Sequence, residues 1–360
     1  MIRFLRFAGD LARANAGGQR PFKLTYAVTD NCSCHCRICS LWKRPRPGAG
    51  LEEIDRLFRA NPHLSWINLT GGEVVERDDF VEILASARRR TRVYALAFPT
   101  AGQQPGEIAR KVQEVLRLRL PRLFVTVSLD GPPEVHDRLR GAKGAFERAA
   151  ETLRRLKEFS SRRFQVRAGL TLSSLNDARP EQLVADLLEA APFLDRTDLH
   201  FNLAHHSPHA YANGPEVIPE SGKALSLLAG EVLRRKAGCG PLPLLEAAYW
   251  KLSHRFLATG RSPIPCGALA ASAFVSPDLY LFPCVSWDHP LLDLRTVDYS
   301  LEAGLRHAEA IRARQRARAG ECPVCWTPCE AFPTMLSGMA RVGVACLRGG
   351  KEARASEGRS

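Results

Sequence analysis

The chain has 360 residues, of which 45% are apolar, 25% charged and 8% aromatic, and this composition excludes a disordered chain. Lys and Arg number 51 against 38 Asp and Glu. The net charge of +13 favours acidic partners such as nucleotides, nucleic acid or anionic lipid, unless it reflects only arginine usage on a solvated surface. No apolar stretch approaches the ~18 residues of a membrane span, and Asp10 and Arg13 interrupt any signal-peptide core. The sequence therefore predicts a soluble, cytoplasmic protein.

The first predicted element is a basic amphipathic helix over residues 1–20, within an N-terminal segment 1–22. Its apolar residues lie largely on one face, with Arg3, Arg6 and Arg13 beside them. A helix of this kind either packs on its own domain or makes a peripheral contact with a membrane surface. We favour packing on the domain and keep membrane contact as the alternative.

Between residues 23 and 215, short β-rich runs alternate with helical patterns, which is typical of βα units on a parallel sheet. The predicted strands are Leu24–Thr29, Trp66–Thr70, Val93–Phe98, Leu123–Leu129, Gln165–Leu172 and Asp198–Leu203. The predicted helices between them are Leu51–Ala60, Asp78–Arg90, Gly106–Arg117, Ala145–Phe159 and Glu181–Ala191. Because eight units would close a full barrel, six predict an α/β fold with a partial (β/α)6 barrel. Functional residues are then expected in the loops that follow the strands.

The remaining chain is predicted to form three segments. A helical bridge or lid over 216–262 has helices near Ser221–Lys236 and Pro243–Thr259. A small cysteine-rich α+β domain over 263–348 contains a hairpin, with strands Ser272–Val275 and Tyr280–Pro283 around a Ser-Pro-Asp-Leu turn. A helix over Leu301–Ala319 follows and carries four arginines, namely Arg312, Arg314, Arg316 and Arg318. Residues 349–360 are predicted to be a disordered tail.

The cysteines are the most informative residues of the chain. Of the 11, four lie at Cys32, Cys34, Cys36 and Cys39, and the others are Cys239, Cys266, Cys284, Cys322, Cys325, Cys329 and Cys346. In a long chain without a signal peptide, such clusters indicate metal or redox chemistry rather than disulfides. Three thiolates at C-x3-C-x2-C in one loop suit three corners of a cubane iron–sulfur cluster and leave one iron open. Cys34 is a competing ligand whose spacing suits a bystander thiol, and Cys239 is interpreted as a buried thiol.

The loop Cys32-x3-Cys36-x2-Cys39 after the first strand resembles the cluster loop of the radical S-adenosylmethionine (SAM) superfamily. In that family a [4Fe-4S] cluster leaves one iron open, and the amino and carboxylate groups of SAM chelate it. The resemblance makes Cys32, Cys36 and Cys39 the cluster ligands. Ile38 stands where many members have an aromatic residue, and it is expected to pack on the adenine of SAM.

Further motifs after the second and fourth strands support this resemblance. Gly71-Gly72-Glu73 is similar to the family's GGE motif, which binds the methionyl amine of SAM, and glycines also let a backbone approach a ligand closely. Ser128 and Asp130 lie in a Ser-Leu-Asp-Gly stretch followed by His-Asp-x-x-Arg-Gly, where the family commonly contacts the SAM ribose. A tight strand-to-helix loop capped by Asp130 is compatible with this interpretation. Weaker candidates for ribose or carboxylate contacts around the fifth strand are Arg167, Thr171 and Asn176.

The C-terminal cysteines resemble the auxiliary-cluster extension called SPASM, or its shorter relative, twitch. The resemblance assigns an auxiliary [4Fe-4S] cluster to Cys266, Cys284, Cys322 and Cys325, with Cys329 and Cys346 as spare or alternative ligands. Two features depart from it: Leu279 replaces the usual glycine, and the longer C-x2-C-x5-C-x3-C run is missing. A zinc site is the alternative, because paired thiolates at C-x2-C also suit Zn²⁺.

The resemblance implies a radical SAM oxidoreductase or maturase. Reductive cleavage of SAM yields methionine and a 5′-deoxyadenosyl radical, which abstracts hydrogen from a peptide or small-molecule substrate, while the auxiliary cluster takes part in electron transfer. A reductant such as flavodoxin or ferredoxin is the implied protein partner. The loop with His205, His206 and His209 is expected to overhang the open end of the barrel, where histidines contact substrate, relay protons or hold a metal.

Two other classes of function stay open. One is an RNA-modifying radical SAM enzyme, which the +13 charge and the arginines of the Leu301–Ala319 helix favour, although no RNA-binding module with stacking aromatics is recognisable. The other is a non-catalytic zinc or iron–sulfur scaffold. A scaffold does not explain why the glycine and serine motifs both follow predicted strands.

Overall fold

The computed structural model describes residues 2–224, 227 and 241–346. Cys239, the predicted tail over 349–360 and most of the predicted Ser221–Lys236 helix lie outside these described residues. The α-helices are α1 (Ile2–Asn15), α2 (Leu51–Ala60), α3 (Phe80–Arg90), α4 (Pro105–Arg117), α5 (Pro133–Arg140), α6 (Ala145–Lys157), α7 (Pro180–Ala190), α8 (Pro241–Thr259), α9 (Leu301–Leu305), α10 (Ala308–Ala319) and α11 (Pro328–Leu336). The strands are β1 (Lys23–Thr29), β2 (Trp66–Gly71), β3 (Ala95–Thr100), β4 (Arg122–Ser128), β5 (Phe164–Leu172), β6 (Leu199–Leu203), β7 (Ser272–Val275), β8 (Tyr280–Phe282) and β9 (Leu292–Asp293).

Strands β1 to β6 are parallel neighbours in chain order and form the predicted partial barrel. The third strand begins at Ala95 rather than at Val93, because the Val93 N–H donates to the Thr91 hydroxyl instead of to a neighbouring strand. Helix α5 is not among the predicted elements. It begins at Pro133 and ends at Arg140, because the next residue, Gly141, has a φ of 66° in the left-handed region.

The barrel strands have two different faces. In β4, Leu123, Val125 and Val127 are buried in the main hydrophobic core with the surrounding helices, whereas Thr126 and Ser128 on the opposite face are half-buried. The same alternation holds in β2, β5 and β6. Strands β1 and β7 are instead buried along their whole length, because the C-terminal segment covers their second face. The concave face is therefore accessible from β2 to β6 and closed at β1 and β7.

The C-terminal hairpin is continuous with the barrel sheet. Strand β7 pairs in parallel with β1, with Lys23 opposite Ser272, and β8 and β9 then extend the sheet in antiparallel fashion. The prediction of a separate small domain did not include this pairing, which joins segments that are distant in the chain. The predicted turn is present, and Leu279, which replaces the glycine of the motif, adopts a φ of 67° there. A leucine in this left-handed region costs about 1–2 kcal/mol.

The predicted helix over Leu301–Ala319 is wrong as one element. It is divided into α9 and α10, because His307 is extended with a ψ of 141° and caps the start of α10. Two of its arginines have partners within the domain: Arg312 forms an ion pair with Glu309, and Arg316 lies 5.0 Å from the ring centre of Trp287. These partners account for part of the positive charge that favoured an RNA substrate.

Helix α1 packs on the domain, as predicted. Phe7 lies 5.2 Å from the ring of Tyr94, and the buried Asp10 forms an ion pair with Arg92. The first turn leaves Ile2, Phe4 and Leu5 exposed. Among the described residues, no helix combines the length and the apolar character that crossing a bilayer requires.

Candidate active site

The four cysteines of the first loop pack together beyond the carboxyl end of β1. Cys34 and Cys36 are buried, and they form a small cluster with Ala101, Cys32, Ile38 and Cys39. The thiol of Cys34 is hydrogen-bonded with both Cys32 and Cys36, which raises the pKa of Cys34 above its usual range. The structure therefore gathers the three predicted ligands and places Cys34 between two of them.

The thiol of Cys36 is electrostatically distinct from its neighbours. Its hydrogen bond from Cys34 and the nearby Arg140 guanidinium lower the pKa of Cys36, although burial opposes them. Burial raises the pKa of Cys39 to about 12. Because the thiolate is the form that binds metals, Cys36 is readier to do so than Cys34 or Cys39.

Arg140 links the cysteine loop to the motif after β4. Its Nη2 lies 2.5 Å from Oδ2 of the fully buried Asp130, and its Nη1 lies 3.7 Å from the Cys36 sulfur. Asp130 does not cap a helix: its Oδ1 accepts a 2.9 Å hydrogen bond from the Thr171 N–H, and Pro132 is the N-cap of α5. Asn176 completes the contact by donating 2.9 Å to the Asp130 carbonyl. Asp130 therefore joins three neighbouring loops.

The glycine motif after β2 touches the start of the cysteine loop. The Gly72 N–H donates a 2.7 Å hydrogen bond to the Thr29 carbonyl, and the Glu73 N–H donates a 2.8 Å hydrogen bond to the Asn31 carbonyl. A Cβ atom on either glycine would stand 2.0 Å from a backbone oxygen of that loop. Only glycine permits this approach, so the motif has a structural role in placing the cysteine loop.

The side chain of Glu73 is buried with one oxygen free. Its Oε2 accepts hydrogen bonds from the Ala101 N–H at 2.6 Å and the Thr100 hydroxyl at 3.1 Å. Its Oε1 is buried without a hydrogen-bond partner in the described part of the chain. Burial raises the pKa of Glu73 to about 7. A free buried carboxylate oxygen beside a glycine turn fits an ammonium group of a ligand.

The raised pKa of Glu73 gives a stability prediction for the apoprotein. A glutamate with a pKa of about 7 when folded and 4.5 when unfolded stabilises the fold in its protonated form, and this stability is lost as pH rises from 4.5 to 7. Urea unfolding at pH 5 and pH 8 should show that Glu73→Gln gains up to about 3 kcal/mol relative to wild type over this interval.

The matched control for this prediction is Glu82→Gln on the exposed side of α3. Its unfolding free energy should run parallel to wild type between the two pH values. A Glu73→Gln profile that also runs parallel to wild type would show that the Glu73 carboxylate is solvated in the native protein.

Not all of the other predicted cofactor residues lie near the cysteine loop and Glu73. Ser128 is the last residue of β4, on its half-buried inner face, and Ile38 packs among the loop cysteines. Arg167 is directed elsewhere, because its guanidinium donates to the Thr197 carbonyl before β6, at the opposite end of that strand. The structure therefore brings Ser128 and Ile38 to the site and leaves Arg167 apart from it.

The loop after β6, residues 204–213, joins the two cysteine regions. On one side, the Tyr211 carbonyl accepts a 2.8 Å hydrogen bond from the Ser40 N–H. The Asn213 side chain donates a 3.0 Å hydrogen bond to the Ile38 carbonyl. On the other side, His209 lies 3.1 Å from the Cys284 carbonyl and stacks on Phe282. Burial lowers the pKa of His209 to about 4, so its imidazole is neutral at pH 7. A neutral ring suits a positioning contact better than a charged one.

Four C-terminal cysteines form a second group, which we call the C-terminal thiol group: Cys266, Cys284, Cys322 and Cys325. Burial raises the pKa of each, and the charge of Cys325 raises the pKa of the other three further, so each of those three thiols lies near Cys325. Cys329 lies beside the group, next to Lys23 and Glu330. Cys346 is apart, with Lys251 as its charged neighbour.

The side chains of both cysteine regions can be compared with the ligands that a metal ion or an iron–sulfur cluster requires. In the described ranges, no three His, Cys, Asp or Glu side chains are arranged to hold a single metal ion. A cubane cluster makes a different demand, because each of its cysteines binds a separate iron. Three gathered thiols with one of lowered pKa fit a three-ligand cubane, and the C-terminal thiol group has the four thiols that a Cys₄ cluster needs.

Three contacts of the site were not predicted. Arg140 belongs to a predicted motif but has no predicted role in it. Its position directly before Gly141 is the only feature of the sequence that could have drawn attention to it. Tyr211 and Asn213 have no signal in the sequence, since they act through backbone contacts with residues about 170 positions away. The histidine loop was predicted only to overhang the barrel.

Comparison with known proteins is consistent with this site. Residues 26–187 match the radical SAM superfamily. The chain is 31% identical over 150 residues to GTP 3′,8-cyclase of Klebsiella pneumoniae (strain 342), covering 37% of this chain and 44% of the cyclase. It is 26% identical over 181 residues to the sporulation killing factor maturation protein SkfB of Bacillus subtilis (strain 168), and the match covers 49% of this chain and 42% of SkfB. The chain thus spans less than half the length of these relatives.

The similarity of fold reaches further along the chain. The structure of histidine-tagged anSMEcpe with bound AdoMet superposes with a TM-score of 0.58 at 13% identity, covering 91% of this chain and 96% of that one. The structure of Streptococcus suis SuiB bound to precursor peptide SuiA superposes with a TM-score of 0.53 at 15% identity. The match covers 83% of this chain and 69% of SuiB. The cysteine loop, the glycine motif and the partial barrel agree with these matches. Residues 26–187 therefore form a radical SAM domain.

Proposed function

We propose that this protein is a radical SAM enzyme that binds a [4Fe-4S] cluster and SAM at the carboxyl ends of the barrel strands and removes hydrogen from a peptide substrate. The observation that carries the proposal is the packing of the Cys32–Cys39 loop directly against Gly72 and Glu73. When bound, the cluster and SAM together supply the one-electron chemistry that breaks an unactivated C–H bond. The protein supplies binding, orientation and exclusion of water.

Different residues of the protein would hold the cluster and SAM. Cys32, Cys36 and Cys39 would bind three irons, and Arg140 favours the thiolate of Cys36. The free oxygen of Glu73 and the close backbone of Gly71–Gly72 would receive the amino group of SAM. Ser128, at the end of β4, is placed for a ribose hydroxyl.

The half-buried face of strands β2 to β6 lies next to this site and would be the wall that faces substrate. Most of its residues are polar, among them Asn68, Thr70, Thr126, Ser128, Thr171, His200 and Asn202. Polar, partly solvated walls suit the backbone amides of a peptide, which need hydrogen-bond partners when they leave water.

A peptide is favoured over a small molecule by the relatives, which include both kinds. GTP 3′,8-cyclase is named for a nucleotide, whereas SkfB is named for maturation of a killing factor, and SuiB was solved with a precursor peptide. Among the structures that cover more than four fifths of this chain, anSMEcpe was also solved with the Cp18Cys peptide and SuiB with precursor peptide SuiA. The C-terminal thiol group would hold an auxiliary [4Fe-4S] cluster that accepts an electron, with flavodoxin or ferredoxin as the outside carrier.

The proposal is tested by iron, sulfide and zinc per chain after anaerobic reconstitution. Wild type should hold about eight irons, and a Cys32, Cys36, Cys39→Ala variant should hold about four and form no 5′-deoxyadenosine from SAM. Cys34→Ala is the matched control in the same loop and should keep about eight irons. This comparison also decides between Cys34 as a ligand and as a neighbour.

Three results would contradict the proposal. Zinc at both cysteine groups and no iron would remove radical chemistry altogether and leave a zinc scaffold. Full iron in the triple variant would place the cluster elsewhere. Tight binding of transfer RNA that weakens steeply with salt would instead support RNA modification.

A further inference from the structure

The first turn of α1 exposes three large apolar side chains within four residues. Ile2, Phe4 and Leu5 are 66%, 53% and 60% exposed. In the described part of the chain, no other helical turn exposes three such side chains. Further along the helix, Phe7 and Leu11 pack against the domain. The domain therefore covers one part of α1 and leaves its first turn as an apolar contact surface.

This turn is held at the amino ends of the barrel strands, the end opposite the candidate active site. The Arg3 guanidinium donates hydrogen bonds to the Val93 carbonyl at 2.8 Å and to the Arg88 carbonyl at 3.0 Å. The ring centre of Phe4 lies 5.7 Å from that of Tyr94. Val93 and Tyr94 directly precede β3, and Arg88 lies in the last turn of α3. The apolar turn thus lies beside the connection from α3 to β3.

The segments before β4 and β5 continue the same surface. The Arg122 N–H donates a 3.0 Å hydrogen bond to the Tyr94 carbonyl, and the Arg122 guanidinium donates to the Arg162 carbonyl. The Leu123 N–H donates a 2.7 Å hydrogen bond to the Arg163 carbonyl. These contacts join four segments into one surface. We call this surface the basic end, and it comprises residues 2–6, 88–90, 117–122 and 161–163.

The basic end contains ten arginines and no aspartate or glutamate. In the described ranges, Arg90 is the only one of the ten that forms an ion pair, with Asp55. Two other acids near this surface, Asp10 and Glu114, are paired with arginines outside it. Arginines at the ends of α3 and α4 complement the helix dipole, but Arg3 lies in the first turn of α1, where the dipole disfavours positive charge. So many unpaired arginines on one surface favour an anionic partner.

We propose that the basic end docks on an anionic lipid surface. Ile2, Phe4 and Leu5 would enter the boundary between head groups and acyl chains, and the arginines would bind the head groups. Burial of apolar side chains together with attraction to anionic lipid is the combination that holds proteins on membrane surfaces. Nucleic acid would also attract the arginines, but it would leave Ile2 and Leu5 without an apolar contact.

This docking leaves the candidate active site accessible. The cysteine loop and the glycine motif lie at the carboxyl ends of the strands, whereas the basic end lies at their amino ends. A protein docked in this way presents the site to substrate on the side away from the lipid. The inference requires neither a cluster nor SAM, so it goes beyond the proposed function and is tested without it.

The test is co-sedimentation of the protein with vesicles in dilute salt. Vesicles of phosphatidylglycerol and phosphatidylcholine in equal parts should bind the protein at least about tenfold more tightly than phosphatidylcholine alone, and added salt should weaken binding. Leu5→Ser, which removes an exposed apolar side chain, should weaken binding about tenfold. The double variant Arg89→Ser, Arg163→Ser should weaken it by about tenfold or more.

The matched control is the double variant Arg44→Ser, Arg138→Ser. It removes the same charge from exposed positions at the carboxyl ends of the strands and should bind vesicles as wild type does. Circular dichroism of each variant verifies that its fold is unchanged.

Three outcomes would overturn the inference. The first is equal binding of wild type to the two kinds of vesicle. The second is an equal loss in both double variants, because net charge and not the basic end would then be responsible. The third is tighter binding of transfer RNA than of anionic vesicles, with Leu5→Ser unaffected, which would make the basic end a nucleic-acid surface. None of these results changes the iron content or the 5′-deoxyadenosine formation on which the proposed function is tested.

Discussion

Replacing Arg140 with methionine is expected to lower the free energy of unfolding of the apoprotein by about 3–5 kcal/mol. The reason is the state of Asp130, which is fully buried and pairs with Arg140 at 2.5 Å. Methionine fills much of the same space but leaves that carboxylate without its countercharge. The penalty is large because the carboxylate cannot reach water, whereas exposed ion pairs contribute little. Urea unfolding followed by circular dichroism measures it.

Arg138→Met is the matched control, because Arg138 lies on the exposed side of the same helix. It should change the unfolding free energy by less than about 0.5 kcal/mol. The double variant Asp130→Asn, Arg140→Met should recover much of the loss, since the uncompensated charge is then gone and Asn can still accept the Thr171 N–H. Equal stability of Arg140→Met and Arg138→Met would mean that the ion pair between Asp130 and Arg140 does not stabilise the fold.

The same ion pair matters for the site as well as for stability. Arg140 reaches Cys36 with its other nitrogen, and Asp130 holds the loop after β5 through Thr171 and Asn176. One buried pair thus fixes the cysteine loop relative to the strand end that carries Ser128. In Arg140→Met we also expect slower reconstitution of the cluster, because the pKa of Cys36 loses one of the two contacts that lower it.

The barrel and its cluster loop could be predicted from the sequence because their signals are local. The buried sides of the strands alternate with a period of two, helix α2 has the predicted bounds, and helix α7 begins one residue before its predicted start. The cysteine spacing and the glycine motif need only a few neighbouring residues each. Both motifs follow predicted strands, which is enough to place them at one edge of the sheet.

The features that could not be predicted depend on distant segments or on local breaks. The contact between Lys23 and Cys329 joins residues 306 positions apart, and the pairing of β1 with β7 leaves no pattern in either strand. The break at His307 comes three residues after Gly304, a weak helix former, but the sequence on both sides favours a helix, so the pattern predicts one helix. Arg167 has the residue type of a ligand contact, but a nearby carbonyl at Thr197 accepts the hydrogen bond from its guanidinium.

Replacing Gly71 with alanine is expected to destabilise the apoprotein by about 3 kcal/mol or more. Two independent costs add at this position. Gly71 has a φ of 116°, which alanine adopts only with strain, and its new Cβ would stand 2.0 Å from the Thr29 carbonyl oxygen. That oxygen also accepts the Gly72 N–H, so relief of the clash must separate the glycine motif from the cysteine loop. Urea unfolding and iron content after reconstitution are the measurements, and both should fall.

Gly106→Ala in helix α4 is the control for this substitution. Its Cβ would meet only Arg155, at 3.9 Å, so the change should be neutral or should stabilise by up to about 1 kcal/mol. Gly72→Ala provides a second test, because its Cβ would meet the Asn31 carbonyl oxygen at 2.0 Å. If Gly71→Ala and Gly72→Ala matched Gly106→Ala in stability and bound full iron, the glycine motif would have no part in placing the cysteine loop. The direct packing on which the proposed function depends would then be wrong.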